Sequence, residues 1–345
     1  MARARTKKAA AASATPATLP LSDLKNTYLA MVRSRVLDAC LADLSRRSLI
    51  GLHPPAAGYE AHIYGALAAL RPSDWLFPDL RMSGVLLARG LGAREWARMV
   101  LGSGSSGHLG HASSAEMTAR SLNVASVSPL MGSHLIQSSG AAHAMKIKRS
   151  DDVVLCWFGP GAGATGDAHV GLNFAAVYKV PAVFYFCTSG DETADAERLG
   201  GESFAQRAEG YGMPGIRVDG SDAVAVFQAV EAAVSRARSG GGPTLIEGRT
   251  PARDEGADPV EVLAAQLDAA GLDSLSLARD ASTAFEAELR GAVEAVQGES
   301  APTSSSLFEQ VFAEPSPQLQ EQRAALLAHR NRFPKGLGDL EEPPS

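Results

Sequence analysis

VVLCWFGPGAGATGDAHVGLNFAAVYKVPAVFYFCTSG, residues 153–190, decides the fold. An apolar run ends in glycine, a segment of helical period follows, and a second apolar run closes on Ser189 and Gly190. Short runs rich in β-branched and aromatic residues and bounded by glycine are strand signals; the 3.6-residue period between them is that of a helix. The stretch is a β-α-β unit with short turns. In such a unit the first turn offers backbone N–H groups and a helix N-terminus to a phosphate lying at the strand ends. Here that turn reads Gly159-Pro160-Gly161-Ala162.

Working outward, strand signals recur at residues 215–219 and 244–247, with a helical stretch at 223–238 between them. Helical patterns occupy 21–48, 60–70 and 93–101 ahead of the unit, then 258–271 and 281–296 after it. Strand and helix in alternation specify an α/β fold: a doubly wound parallel sheet flanked by helices, here with helical N- and C-terminal extensions. Three segments are expected. Residues 1–20 form a disordered basic tail, 21–297 an α/β domain with N-terminal helices, and 298–345 a connector, a C-terminal helix over 307–329 and a loose end. The first segment combines Arg3, Arg5, Lys7 and Lys8 with Ala, Ser, Thr and Pro, and lacks the apolar core of a secretory signal. An organelle transit peptide shares that composition; a disordered tail is the preferred reading.

Composition bounds the function. A chain of 345 residues, 45% hydrophobic and 20% charged, is an ordinary globular protein able to bury a large core. Its net charge of −6 argues against a nucleic-acid surface and gives no reason to invoke a membrane. Cys40, Cys156 and Cys187 sit in apolar surroundings without Cys-x-x-Cys spacing, which reads as reduced thiols in a cytoplasmic protein. No apolar run approaches the ~20 residues of a membrane span.

The motifs around the unit carry a resemblance. Gly58-Tyr59-Glu60-Ala61, Arg71-Pro72-Ser73-Asp74, Phe77-Pro78 and Leu87-Ala88-Arg89-Gly90 precede it in order. Ala162, Gly166, Asp167, His169, Leu172, Asn173, Lys179, Pro181 and Cys187 lie within it, and LFEQVFAEPSPQLQEQR, residues 307–323, comes near the end. In this order and spacing the chain resembles the α subunit of the thiamine-diphosphate-dependent 2-oxoacid dehydrogenases, nearest the branched-chain type. The resemblance implies a thiamine-diphosphate-binding fold, thiamine diphosphate held through magnesium, and decarboxylation of a 2-oxoacid with acyl transfer to a lipoyl carrier. It also implies a β subunit or a second copy as partner, and a lipoyl acyltransferase core beyond them. Arg81, Gly159, Gly161, Ala162 and Ser189 are the cofactor-binding residues it points to, and residues 132–142 lie over the aminopyrimidine ring.

The departures are as ordered as the matches. The family writes the first turn as Gly-Asp-Gly and closes the second strand with Asn-Asn; this chain has Gly159-Pro160-Gly161 and Ser189-Gly190. Magnesium needs oxygen ligands in near-octahedral geometry. Pro160 offers no side-chain oxygen and no N–H. Ser189 and Asp191 are the remaining candidates for a metal. Where the family has a histidine after Tyr-Arg and an acidic residue, Ser83 follows Arg81 and Met82. The long active-site loop, with its histidine, is missing between Thr250-Pro251-Ala252-Arg253 and Asp258-Pro259. General acid–base chemistry on a 2-oxoacid calls for a group titrating near neutrality, usually histidine. No catalytic residue is assigned, and cofactor binding is placed in doubt.

Other features have plainer readings. His108 and His111 lie in a Gly/Ser-rich loop without a neighbouring carboxylate, and read as solvated. His134 and His143 read as packing residues, and Asp167 and His169 as helix-start residues. Gly161, Gly163 and Gly166 satisfy G-x-G-x-x-G between strand and helix, so a dinucleotide-binding protein is a remoter alternative. The two leading readings are a working α subunit and a non-enzymatic structural or regulatory subunit that pairs with a β-like chain.

Overall fold

A computed structural model of the chain describes residues 18–51, 53–106, 116–127, 129–188, 203–250, 258–300, 302–303, 306–309 and 311–333. Helix α1 (Leu21–Arg46) comes first, followed by a π-helical turn (Ala61–Gly65) that runs into α2 (Ala66–Ala68). Strand β1 (Trp75–Phe77), α3 (Gly84–Ala88), α4 (Ala93–Val100) and α5 (Ser133–Lys148) lead to the central unit. That unit comprises β2 (Val154–Phe158), α6 (Pro160–Gly163), α7 (Gly166–Tyr178) and β3 (Ala182–Thr188). Next come α8 (Arg207–Tyr211), β4 (Gly215–Asp219), α9 (Ala223–Arg238) and β5 (Thr244–Arg249). The chain continues through α10 (Pro259–Ala269), α11 (Ser274–Gln297), α12 (Ser306–Glu309) and α13 (Pro317–Arg332).

The five strands form one parallel sheet in the order β1-β2-β3-β5-β4. Every residue of β2 and β3 is buried, because helices cover both faces. This explains why those strands read as continuous apolar runs and not as alternating ones. Alternate side chains divide between two cores. Leu155, Trp157, Val183, Tyr185 and Ile246 face α1, α9 and α11; Val154, Cys156, Phe158, Phe184 and Phe186 face α5 and α7. The doubly wound parallel sheet expected from the sequence is the one observed. Edge strand β4 leaves Arg217 and Asp219 exposed, and charges along an edge discourage pairing with a further strand.

Buried charges fix the periphery to the sheet. Asp74 accepts from the backbone N–H groups of Arg71 and Val153 (2.8 Å each) and pairs with Arg238 at 2.8 Å, holding β1 against β2. Arg35 on α1 donates to buried Glu60 at 2.7 Å and grips Asp258 with both terminal nitrogens at 2.8 Å. Burial of such charges is tolerable because each is paired and hydrogen-bonded.

The expected helix over 307–329 is corrected by the structure. It is two helices, α12 and α13, separated by residues 311–316. Pro315 and Pro317 cannot donate to a helical ladder, and Ser316 instead accepts from Leu319 N–H (3.2 Å) as the N-cap of α13. The helix expected over 281–296 begins earlier, at Ser274, where Asp273 caps it. Among the described residues no helix is long and apolar enough to cross a membrane.

Candidate functional site

Parallel strands β1, β2 and β3 end side by side, and the glycine-rich turn leaves the middle one. Gly159 is extended (φ −110°, ψ −175°), and Pro160 opens the short helix α6 at a position where its missing N–H costs nothing. Gly163 N–H closes onto Gly159 O (2.9 Å) and Ala164 N–H onto Pro160 O (3.1 Å). Thr165 then caps α7: its hydroxyl donates to Ala162 O (2.7 Å) and accepts from Ala168 N–H (3.2 Å). The first turn of α7 also carries Asp167. One donor of this N-terminus is therefore already satisfied and its positive end already faces a carboxylate.

Three segments surround the turn. The first is the end of β1: an Asp79 carboxylate oxygen stands 3.7 Å from where a Cβ on Gly159 would be, and Cys187 O on β3 stands at 3.8 Å. The second is the entry to α5, where Gly132 (φ +89°) fits against the Thr165 side chain and could carry no Cβ there. Beside it Met131, 62% exposed, lays its sulfur 2.7 Å from the missing Cβ of Gly161. The third is Phe204, which with Phe186 packs on Gly163 (3.0 and 3.3 Å to the absent Cβ). Gly166, the last glycine of the G-x-G-x-x-G pattern, has nothing within 4 Å.

Of the cofactor-binding candidates, Gly159, Gly161 and Ala162 are brought together in the turn. Arg81 is engaged elsewhere: it donates to Pro55 O (3.0 Å) and its guanidinium lies over the Tyr59 ring at 5.4 Å. Ser83 immediately precedes α3 and caps nothing with its side chain. Ser189 and Asp191, like His108 and His111, lie outside the described residues. His134 is buried with Nε2 2.9 Å from Trp157 O, and burial lowers its pKa. His143 packs on α7 beside Phe174 and Tyr178, and His169 Nδ1 lies 2.9 Å from Tyr211 Oη. All three histidines serve packing or helix-to-helix contacts. Cys156 and Cys187 are buried and free, and burial pushes the Cys156 thiol up to about 12, so it stays protonated near neutrality.

Sequence reasoning missed His62. The ring is fully buried, with Nδ1 3.0 Å from Tyr185 Oη and Nε2 2.7 Å from Thr250 Oγ1. Burial pushes its pKa down to about 3, so it is a neutral imidazole with one nitrogen donating and the other accepting. Gly220 and Gly248 leave room for it; a Cβ on either would overlap the ring. Walled in this way, the ring meets no substrate. The available signal was a histidine inside an apolar helical segment, next to Glu60. Asp79 and Met131 were missed too, though Asp79 lies between two quoted motifs.

A magnesium–diphosphate group needs several hard oxygen ligands around one point. Beside Gly159 the described residues supply one carboxylate, Asp79, and one carbonyl, Cys187. Pro160 supplies nothing and a thioether lies against Gly161. No group of three or more His, Cys, Asp or Glu residues that could hold a metal occurs among the described residues. Those two oxygens are fewer than that group needs from the described residues; Ser189 and Asp191 lie outside them.

Residues 28–251 match the family model described as dehydrogenase E1 component. The chain belongs to the dehydrogenase E1 component family. It is 38% identical over 240 residues to the 3-methyl-2-oxobutanoate dehydrogenase subunit alpha of Mycobacterium tuberculosis, covering 67% of this chain and 61% of that protein. It is 35% identical over 222 residues to the pyruvate dehydrogenase E1 component subunit alpha of Staphylococcus aureus, covering 64% and 58% respectively. The chain thus spans about three-fifths of the length of these E1 relatives. A transketolase from Campylobacter jejuni aligns structurally with TM-score 0.47 at 16% identity, covering 77% of this chain and 47% of the other.

Proposed function

We propose that this chain is a non-catalytic E1 α-type subunit. It keeps the α/β framework of a branched-chain 2-oxoacid dehydrogenase α subunit and its place in an assembly, without holding thiamine diphosphate and magnesium for turnover. One observation carries the reading: the turn at the end of β2 is poor in oxygen. Its Pro160 stands where the resemblance implies a metal-binding aspartate, and among the described residues Asp79 is the one carboxylate beside Gly159. Absence of a histidine at Ser83 supports the same conclusion, since His62, His134 and His143 are all committed to packing. Partners consistent with the family are a β-like chain, a second copy of this chain, or both, with a lipoyl acyltransferase core beyond them if the assembly is complete. The cytoplasm is the compartment proposed, on the strength of the free, buried cysteines. Residues 21–297 are proposed as the α/β unit and 298–345 as a separate C-terminal extension.

Titration calorimetry with thiamine diphosphate and magnesium tests this, on the chain alone and with a β-like partner. No saturable heat is expected. Losing metal ligands from such a site costs several kcal/mol, at about 1.4 kcal/mol per tenfold in affinity. A magnesium-dependent dissociation constant in the micromolar range or below would restore the reading of a working α subunit, which would decarboxylate a 2-oxoacid.

A further inference from the structure

We propose that a cavity between α1, α3 and α11 binds a short-chain monocarboxylate, its carboxylate taken by Arg33 and by the hydroxyls of Ser34 and Tyr64. The inference goes beyond the reading of the cofactor turn: no residue of that turn lines the cavity, and the site holds whether or not cofactor binds.

The cavity exists because the residues around it are small or spaced to leave it. Ala30, Ser34 and Leu37 on α1 recur at four and then three residues, so they share one face of that helix. The five-residue α3 contributes Leu87 and Ala88, and α11 contributes Phe285. Gly84 opens α3 because a Cβ there would overlap the Tyr64 hydroxyl. The space left is about 70 Å³ and opens to solvent. One water needs roughly 10–15 Å³ of such space, so about five or six non-hydrogen atoms fit.

The polar groups in this setting have bonding capacity to spare. Ser34 and Tyr64 are 3% and 4% exposed, and among the described residues each hydroxyl has only the other to bond with. A hydroxyl carries one donor and two lone pairs, so the two together keep an O–H for a third group. Burial pushes the Tyr64 phenol up from its ordinary value, so it stays protonated and donates.

Charge selects the ligand. Arg33 is exposed, its guanidinium lies over the Phe285 ring at 5.8 Å, and among the described residues it pairs with no carboxylate. The carboxylates whose charge reaches Tyr64 are engaged: Glu60 pairs with Arg35 at 2.7 Å, and Asp38 accepts from Ala56 N–H at 2.9 Å. A free cation beside hydroxyl donors and an apolar wall suits an anion that carries a small alkyl group. Its carboxylate gains charge-assisted hydrogen bonds from the guanidinium, and its alkyl end lies against Leu37, Leu87 and Phe285. Isobutyrate is of the right size.

A methyl chemical-shift titration of the full chain with sodium isobutyrate reads binding, against sodium chloride at equal ionic strength. Saturable shifts at Leu37 and Leu87 are expected, with a dissociation constant of about 1 mM or below, as so few atoms allow. Isobutyramide, the same shape without the charge, should bind at least about tenfold more weakly, and so should isobutyrate to Arg33→Gln. Tyr64→Phe keeps the ring, removes the inner donor and should weaken binding about threefold. Ala88→Leu should abolish binding by filling the cavity from an exposed position. Melting temperatures of Arg33→Gln and Ala88→Leu should be unchanged, because both side chains are exposed. The absence of saturable shifts, equal affinity for isobutyramide, or binding that survives Ala88→Leu overturns the inference. So does an affinity that neither Arg33→Gln nor Tyr64→Phe changes. None of these outcomes alters the titration with thiamine diphosphate and magnesium, so the two readings fail separately.

Discussion

Two parts of the sheet's upper edge use glycine in opposite ways. Around His62, Gly220 and Gly248 exist because a buried ring fills the space their side chains would take. Around Pro160, Gly159 has no neighbour closer than 3.7 Å to its missing Cβ, and Gly161 faces only the flexible end of an exposed methionine. The first set is demanded by packing within the chain. Nothing among the described residues demands the second. Packing and candidate ligand chemistry are thus carried by different residues of the fold.

The sharpest way to break this comparison is to add a methyl group on both sides. Gly248→Ala should destabilise the protein by about 3 kcal/mol, since Tyr185 and His62 are fully buried and neither ring can move aside. Urea unfolding measures this; a loss below about 1 kcal/mol would mean the His62 pocket is looser than its geometry.

Acid should find the same pocket. The fold holds His62 near a pKa of about 3 against an ordinary 6.5, so the unfolded chain takes up a proton first as pH falls. The stability due to the neutral ring is complete above 6.5 and declines progressively from there toward 3. Between pH 6 and 4 the unmodified protein should lose roughly 1 kcal/mol per pH unit more than His62→Gln, compared by denaturant midpoints. Parallel curves would remove the ring from the account. Buried His134 shifts in the same direction and remains in both proteins, so it does not mask the difference.

A smaller effect tests the turn by restoration. Pro160→Asp with Gly190→Asn should bring magnesium-dependent binding of thiamine diphosphate into range, a gain of at least about tenfold, or 1.4 kcal/mol. Turnover of 2-oxoacids should stay low, because Ser83 is unrepaired and the described histidines His62, His134 and His143 are committed to packing. Strong turnover would show the missing loop to be dispensable. Smallest of all is Gly159→Ala. The residue is extended and its surroundings are open, so a stability change under about 0.5 kcal/mol is expected in thermal unfolding. A large loss there would erase the contrast with Gly248.

Much of the frame was legible because its signals are local. The β2-α7-β3 unit, β4 and α9 follow from periodicity within a few residues of chain. Strand β1 was not read as a strand: it has three residues and runs straight into Pro78. The C-terminal break was visible as Pro315 and Pro317 but was outweighed by apolar spacing. At the site, the turn was placed correctly from its glycines. What surrounds it was not, because Asp79 is 80 residues before Gly159 and meets it only through the pairing of β1 with β2. His62 was opaque for a related reason: its partners Tyr185 and Thr250 lie 123 and 188 residues away.

Arg35 sets a timetable for the chain as it is made. Its grip on Asp258 spans 223 residues, and Tyr28 Oη on the same helix donates to Ser274 O across 246. Met31, Leu37, Leu41 and Leu44, all buried in the finished fold, emerge from the ribosome long before α11 exists to cover them. At about 5–20 residues per second that interval lasts roughly 10 to 45 s. For that time the N-terminal helix is an amphipathic segment without a home, the kind of surface a chaperone holds, and its docking is among the closing steps of synthesis.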